Sequence, residues 1–401
     1  MYYSKDMDKI DELLNRAVDT IIPSSAELET VLRSGKKLRV YQGFDPTSPQ
    51  LHIGHMIGLR KLSQWQELGH EVIFLIGDFT GRIGDPTGKE ETRPMLTKEV
   101  VEKNAELYKN QAAKILRFDG ENPAKIKFNS EWLENLSMPE VFNLAAQVTY
   151  QQVIKRDLYQ KRLAKDQDIS INEIMYPIMQ GYDSVAMDID VEVGGRDQLF
   201  NMMMGRHLMH KMKRKNKFVM TTQLLTDPQG NKIGKTEGNA IALTDAPEKI
   251  FGAIMNFPDD VIVKGLEYLT DISWDQLQSI QKAIDDSQNP IEFKKRLAFD
   301  VVKQLHGESQ AKSAQENFEK VFQKKEKPEN IESITVQNPQ QNIIYFLVEN
   351  NLADSKSAAK RLLDQGAIEI DGQTQKDHEI EFKDGQVVKI GKKKFVKVTL
   401  K

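Results

Sequence analysis

The chain has 401 residues and no cysteine. That absence excludes disulfides, a thiol nucleophile and thiolate zinc sites together. Although 39% of the residues are hydrophobic, no run approaches eighteen apolar residues, so a membrane-spanning helix is excluded. The first residues, Met1-Tyr2-Tyr3-Ser4-Lys5-Asp6-Met7-Asp8, carry no apolar signal core, and the cytoplasm is the expected compartment. Charge is nearly balanced: 56 Lys and Arg against 59 Asp and Glu leave a net −3, so contact with nucleic acid has to come from local patches. No internal repeat or low-complexity tract is present. The length suits a large catalytic domain with one or two smaller ones.

What is present centres on Tyr41 to His55, Y-Q-G-F-D-P-T-S-P-Q-L-H-I-G-H. Leu38 to Phe44 reads as a strand, and Gly43 with Asp45-Pro46-Thr47 as a turn. A helix then begins near His52, with Leu51, Met56, Leu59, Leu62 and Trp65 at helical spacing, and stops at Gly69. A strand, a glycine turn and a helix start bring free backbone N–H groups and a positive dipole end to one spot, which suits a phosphate. His52 and His55 flank it. Two histidines three apart can also simply share a helix face.

Residues 6–33 read as helix, broken and recapped at Pro23-Ser24-Ser25. Glu71 to Ile76 is a short apolar run of the kind a buried parallel strand shows, and the order strand, helix, strand predicts a doubly wound α/β sheet with its site at the carboxyl ends of the strands. The loop from Gly77 to Lys89 holds four glycines, which fits either close approach to a ligand or a plain surface loop. Lys98 to Leu116 reads as a helix and Lys125 to Phe128 as a strand. In the helix from Ile171 to Asp188, Tyr176, Gln180 and Asp183 share one stripe amid Met175, Ile178, Met179 and Val185, a pattern that lines a polar pocket. Past the strand end at Val193-Gly194-Gly195, Asp197 suits a ribose hydroxyl pair or a helix cap. Lys211 to Lys217 is a basic cluster, either a solvated face or a nucleic-acid contact. Phe218 to Leu225 reads as a strand. The loop after it carries Lys232 and Lys235, which can swing charge onto a polyphosphate.

With the two histidines and the two lysines in this order, the chain resembles the class I aminoacyl-tRNA synthetases, in particular the bacterial type of the tyrosyl family. The K-I-G-K-T loop departs from the general K-M-S-K-S pattern but keeps both lysines. The resemblance implies a Rossmann-like catalytic domain over residues 1–245, an α-helical anticodon-binding domain over 246–325, a linker over 326–341 and a small α+β S4-like RNA-binding domain over 342–401. It also implies activation of L-tyrosine by ATP, with Mg2+ accompanying the nucleotide and no metal held by the protein. Transfer to tRNA follows, by a homodimer joined near residues 120–170. The tryptophanyl enzymes, a superfamily adenylyltransferase and a synthetase-derived RNA-binding regulator are the rival readings.

Residue by residue, the resemblance gives Tyr41 and Asp183 the substrate phenol. It gives Tyr176, Gln180, Asp85 and Thr80 the ammonium group, with Asn129 on the same side. Gly43, Asp45, Thr47 and Gly54 border the nucleotide, Gly195, Asp197 and Gln198 the ribose and carboxylate, and Leu224 and Leu225 the adenine. His52, His55, Lys232, Lys235 and Thr236 grip the phosphates, and Lys89 and Arg93 assist pyrophosphate from a mobile loop. Gln42 departs from the residues usual at its position. The C-terminal lysines Lys392, Lys393, Lys394 and Lys397, with Lys211 to Lys217, are the expected RNA-facing patches.

Overall fold

The structure, a computed structural model, describes residues 8–87, 96–234, 240–320, 332–336, 338–350, 352–353, 355–391 and 394–400. The chain divides into two compact units, residues 1–315 and 316–401.

The first unit is built on six strands: β1 Val18–Ile22, β2 Arg39–Phe44, β3 Glu71–Ile76, β4 Lys125–Phe128, β5 Val191–Gly195 and β6 Phe218–Thr222. They lie in the order β1-β6-β5-β2-β3-β4, and all run parallel except β1, which pairs antiparallel with β6. The expected doubly wound α/β sheet is therefore present. Its interior strand β3 is buried from Val72 to Ile76, as a parallel strand covered by helices on both faces has to be. Strand β1 falls inside the stretch read as helix. Its V-D-T-I-I sequence is β-branched and short, and a short apolar run does not distinguish a strand from a helix by period. Ala17, at φ 54°, ends the helix Lys9–Asn15 before it.

The sheet grows one way from β2 to β3 and β4 and the other way from β5 to β6, so its switch point lies between β2 and β5. Ligands of such sheets bind at the carboxyl ends of the strands there. Strand β2 pairs with β3 along its whole length but with β5 only at Val40–Val191 and Tyr41–Glu192. Past that last pair the two strands part, and the crevice between them opens.

The helix Ile53–Glu67 covers the crevice's lower side with Ile53, Met56, Leu59, Leu62 and Trp65 buried. The helices Ile171–Ala186 and Leu199–Lys213 cross so closely that a Cβ on Gly181 would lie 3.0 Å from the backbone nitrogen of Gly205. Residues 247–318 form the helices Pro247–Met255, Ile262–Leu269, Trp274–Asp285, Ile291–His306 and Glu308–Phe318.

In the second unit, the stretch read as a linker contains two strands, β7 Glu332–Val336 and β8 Gln340–Asn342. Only Ile334 and Val336 of β7 pack on the core, and the Lys, Pro and Asn residues around them hide that alternation. The helices Ile343–Glu349 and Lys356–Asp364 follow, then β9 Ile368–Ile370, β10 Gln373–Thr374, β11 Glu379–Glu381, β12 Val387–Ile390 and β13 Lys394–Leu400. A sheet in the order β10-β9-β12-β13-β7 encloses Phe346, Leu347, Phe382 and Val398. Asp371 and Gly372 turn the hairpin between β9 and β10. Lys397 is exposed, whereas Lys392 and Lys393 lie outside the described residues.

Candidate active site

The crevice is a cleft of about 260 Å³. On one side, β2 runs out into the Asp45–Leu51 turn. Three hydrogen bonds to side chains hold that turn: Asn104 Nδ2 donates to the Pro46 carbonyl, Gln111 Nε2 to the Pro49 carbonyl, and the Leu51 N–H to Gln111 Oε1. His52 then caps the helix. Its Nδ1 accepts from the Gly54 N–H at 3.1 Å, and His55 Nδ1 accepts from the His52 N–H at 3.1 Å. A ring nitrogen that accepts an N–H is unprotonated, so each neutral imidazole carries its proton on Nε2. The rings stack with centroids 3.8 Å apart and both line the cleft, which sets two N–H donors side by side for an anionic oxygen.

The second motif meets the first directly. Thr226 and Lys232 pair across a turn in which Asp227 Oδ1 accepts from the Asn231 N–H at 2.7 Å, and the Ile233 N–H donates to the Leu225 carbonyl at 2.8 Å. The Ile53 N–H donates to the Ile241 carbonyl, and the Leu243 N–H to the Leu51 carbonyl, both at 2.9 Å. Gly234, at φ +75°, sits so tightly on Ile53 that any side chain there would overlap it. Lys232 therefore lines the same cleft as the histidines, with Nζ 2.7 Å from Asp197 Oδ2. Lys235, Thr236, Lys89 and Arg93 lie outside the described residues.

At the closed end, Asp183 is 2% exposed. Its Oδ1 accepts from Trp132 Nε1 at 2.8 Å and its Oδ2 from Asn129 Nδ2 at 3.3 Å. Burial pushes this carboxyl well above the usual carboxylate range, and those two donors work against the shift. Tyr41 is buried as well, with its hydroxyl 3.1 Å from Ser184 Oγ. Burial, and then the nearby Glu192 and Asp183, keep its phenol protonated far above the ordinary range. Tyr41 and Asp183 thus share the floor, each held by a different partner.

Two residues expected at the amine side, Tyr176 and Thr80, instead hold a carboxylate expected at the nucleotide. The Tyr176 hydroxyl donates to Asp45 Oδ2 and Thr80 Oγ1 to Asp45 Oδ1, each at 2.7 Å, while Asn129 Nδ2 donates to Thr80 Oγ1 at 2.9 Å. Asp85 accepts from Thr87 and, at 2.7 Å, from Gln198 Nε2. Gly43, Thr47 and Gly54 line one wall of the same cleft, and Gly195, Leu224 and Leu225 the other. The amide oxygens of Gln42 and Gln180, both on this lining, are buried with no hydrogen-bond partner among the described residues. Acceptors of that kind call for a polar ligand or water.

Sequence reasoning missed Trp132, Ser184, Glu192 and Lys217. It also grouped Lys217 with a basic surface cluster, which the structure divides. Lys211, Lys213 and Arg214 are exposed, Lys215 is ion-paired to Asp190 at 2.9 Å, and Lys217 is fully buried. A lysine in a basic run carries no sign of burial. The one available signal was its place, immediately before the interior strand β6.

The family model described as tRNA synthetases class I (W and Y) matches residues 33–323. A second, described as Tyrosine--tRNA ligase SYY-like C-terminal domain, matches residues 323–398. The Tyrosine--tRNA ligase of Thermotoga maritima is 42% identical over 392 residues, covering 97% of this chain and 96% of that protein. That of Moorella thermoacetica is 41% identical over 393 residues, covering 96% and 94%. In fold, the chain matches the crystal structure of a C-terminally truncated Aspergillus nidulans mitochondrial tyrosyl-tRNA synthetase with a TM-score of 0.67. That match has 23% identity and covers 79% of this chain and 95% of the other.

Proposed function

The chain belongs to the class I tRNA synthetases of the tryptophan and tyrosine group, and we propose that its cleft joins L-tyrosine to tRNA in two steps. The carboxylate of tyrosine attacks the α-phosphorus of ATP and pyrophosphate leaves. A terminal hydroxyl of the tRNA adenosine then takes the tyrosyl group from the adenylate. The attacking carboxylate is already ionised, so no protein nucleophile is required. Catalysis rests on positioning and on donors aimed at the phosphates.

His52, His55 and Lys232, with Lys235 and Thr236, stabilise the phosphates as charge grows on them. Lys89 and Arg93 assist the leaving pyrophosphate. Tyr41 and Asp183 bind the phenol hydroxyl, while Tyr176, Gln180, Asp85, Thr80 and Asn129 surround the amine. Gly43, Asp45, Thr47 and Gly54 border the nucleotide, Gly195, Asp197 and Gln198 its ribose, and Leu224 and Leu225 its base. Mg2+ arrives with the ATP. Selection of tyrosine over phenylalanine is a standard example of a general rule: a site whose buried polar groups need a hydroxyl strands them when the hydroxyl is missing.

The observation that carries this reading is the meeting of the two half-motifs on one cleft whose closed end holds Asp183 and Tyr41. Residues 246–325 read the anticodon, and 342–401, with β7 in the same sheet, form the RNA-binding module. The working form is a homodimer. Met138, Phe142, Tyr150 and Ile171, between 59% and 75% exposed, supply apolar surface in the segment expected to join two copies. The compartment is the cytoplasm. Amino-acid-dependent exchange of pyrophosphate into ATP tests the reading. Exchange is expected with tyrosine, and exchange driven by tryptophan, or by no amino acid, would overturn it.

A further inference from the structure

We infer that Lys217 and Glu192 form a positioning device for amino-acid selection, holding Ser184 and, through it, the hydroxyl of Tyr41 in the orientation that meets the substrate phenol. The inference deepens the tyrosine reading of the cleft and rests on it.

Tyr41 and Glu192 are the last cross-strand pair before β2 and β5 part. Neighbours in register on parallel strands send their side chains to the same face, so a carboxylate stands beside the Tyr41 ring where the cleft closes. Lys217, one residue before β6, reaches the same point from the next strand over. Its ammonium donates to Glu192 Oε2 and, at 2.8 Å, to Ser184 Oγ, and it stands 6.0 Å from the centre of the Tyr41 ring. Exposure is 0% for Lys217, 0% for Ser184 and 3% for Glu192.

Donor and acceptor capacities then decide how the hydroxyls turn. An ammonium only donates, so Ser184 Oγ has to accept from Lys217. A carboxylate only accepts, so it draws the Ser184 proton toward Glu192 Oε2, 3.5 Å away. What Ser184 has left is one lone pair, directed at the Tyr41 hydroxyl 3.1 Å away. The rotation of that hydroxyl is thereby fixed before substrate arrives.

Room has been kept for this trio. A Cβ on Gly205 would lie 2.5 Å from Lys217 Nζ, 2.9 Å from Ser184 Oγ and 3.1 Å from Glu192 Oε2, so only glycine lets the Leu199–Lys213 helix pass. Stability alone is a weak reason for the arrangement, because well-packed apolar side chains of similar volume commonly do as well as a buried ion pair. A fixed hydroxyl on the cleft floor is a use that apolar replacements cannot serve.

The test uses the full chain and pyrophosphate exchange, with kcat and KM measured for tyrosine, phenylalanine and ATP. Ser184→Ala keeps the ion pair and cuts the relay. It is expected to raise KM for tyrosine and lower the tyrosine-to-phenylalanine ratio of kcat/KM by about tenfold, with KM for ATP unchanged. Ser184→Thr, which keeps a hydroxyl, is expected to restore the ratio. Lys217→Met, which strands Glu192, is expected to lower it by roughly a hundredfold, and Ser184→Ala carries the test whether or not that variant folds.

In a Tyr41→Phe background, Ser184→Ala should change the ratio no further, because the route through Tyr41 is already gone. The inference is overturned if Ser184→Ala weakens both amino acids equally, or if its effect adds in full to that of Tyr41→Phe. Wild-type protein without tyrosine-dependent exchange overturns the tyrosine reading itself, a result visible before any variant is made.

Discussion

At the floor of the cleft and just behind it, Asp183, Glu192 and Lys217 are nearly excluded from solvent, whereas at the rim the side chains of Lys232 and Asp197 keep 39% and 29% of their surface exposed. Each floor group has its hydrogen bonds from rigid elements: Trp132 and Asn129 for Asp183, and strand and helix residues for the Lys217–Glu192 pair. Breaking one of these strands a buried polar group, which costs about 1–3 kcal/mol and more for a charge. An ion pair as open as Lys232–Asp197 is worth about 0–1 kcal/mol. It can be given up when a polyphosphate offers Lys232 a better partner. The contrast fits the proposed division of tasks, in which the floor would decide which amino acid fits and the rim would supply charge free to move as phosphates arrive and leave.

The largest effect expected from this contrast comes at the floor. Asp183→Ala should abolish tyrosine activation, since it removes a buried group that both Trp132 and Asn129 are built to hold. Pyrophosphate exchange measured at saturating tyrosine is the check, and a rate near wild type would refute the assignment. At the rim, Lys232→Ala should lower kcat by roughly a hundredfold while KM for tyrosine stays within about twofold, because its donor acts on charge that develops in the transition state. A large rise in KM with kcat preserved would mean that the rim holds the ground state, and the division of tasks would fail.

Smaller again is the effect of removing the second unit. A cut near Gln341 would leave β7 without β13, its partner in the sheet, so the truncation belongs near residue 323, where the two family matches meet. Adenylate formation should continue unchanged, because floor and rim both belong to the first unit. Charging of tRNA should weaken by about tenfold or more at moderate salt, as lysines facing the phosphate backbone are lost. Charging that stays intact would assign the unit another purpose.

The rim and those floor residues set by local spacing were legible in sequence, whereas the groups that support the floor were not. His52, His55 and Lys232 could be read because spacing on a turn and a helix start is local, and helix geometry gave Tyr176, Gln180 and Asp183 their common stripe. Ser184, Glu192 and Lys217 could not be read, since each becomes functional only through what another strand or helix sets beside it. Strand β3 announced itself by an apolar run between turn residues, and β2 and β4 could be read as short segments closed by turn residues. Strand β1 is edge-placed and antiparallel, so its identity depends on β6, some two hundred residues later. Strand β7 depends on β13 in the same way.

A buried lysine away from the cleft sharpens what a carboxylate partner does for an ammonium. Lys61 is 2% exposed, and its donors go to oxygen atoms of uncharged groups: the Leu13 and Arg16 carbonyls and Gln64 Oε1, at 2.7–2.8 Å. Burial, with Arg16 nearby, lowers its pKa from 10.5 to about 7. The unfolded chain therefore binds one more proton than the folded chain between those two values, and stability should rise with pH across that window. The rise is on the order of a few kcal/mol when complete. Thermal melts of wild type and Lys61→Met at pH 6.5 and pH 9.5 test this. The melting temperature of wild type minus that of the variant should grow more positive at the higher pH, because the variant has no ammonium to discharge. A difference that stays flat with pH would mean that these carbonyl oxygens keep the buried Lys61 ammonium charged across the window, and the account of its burial would fail.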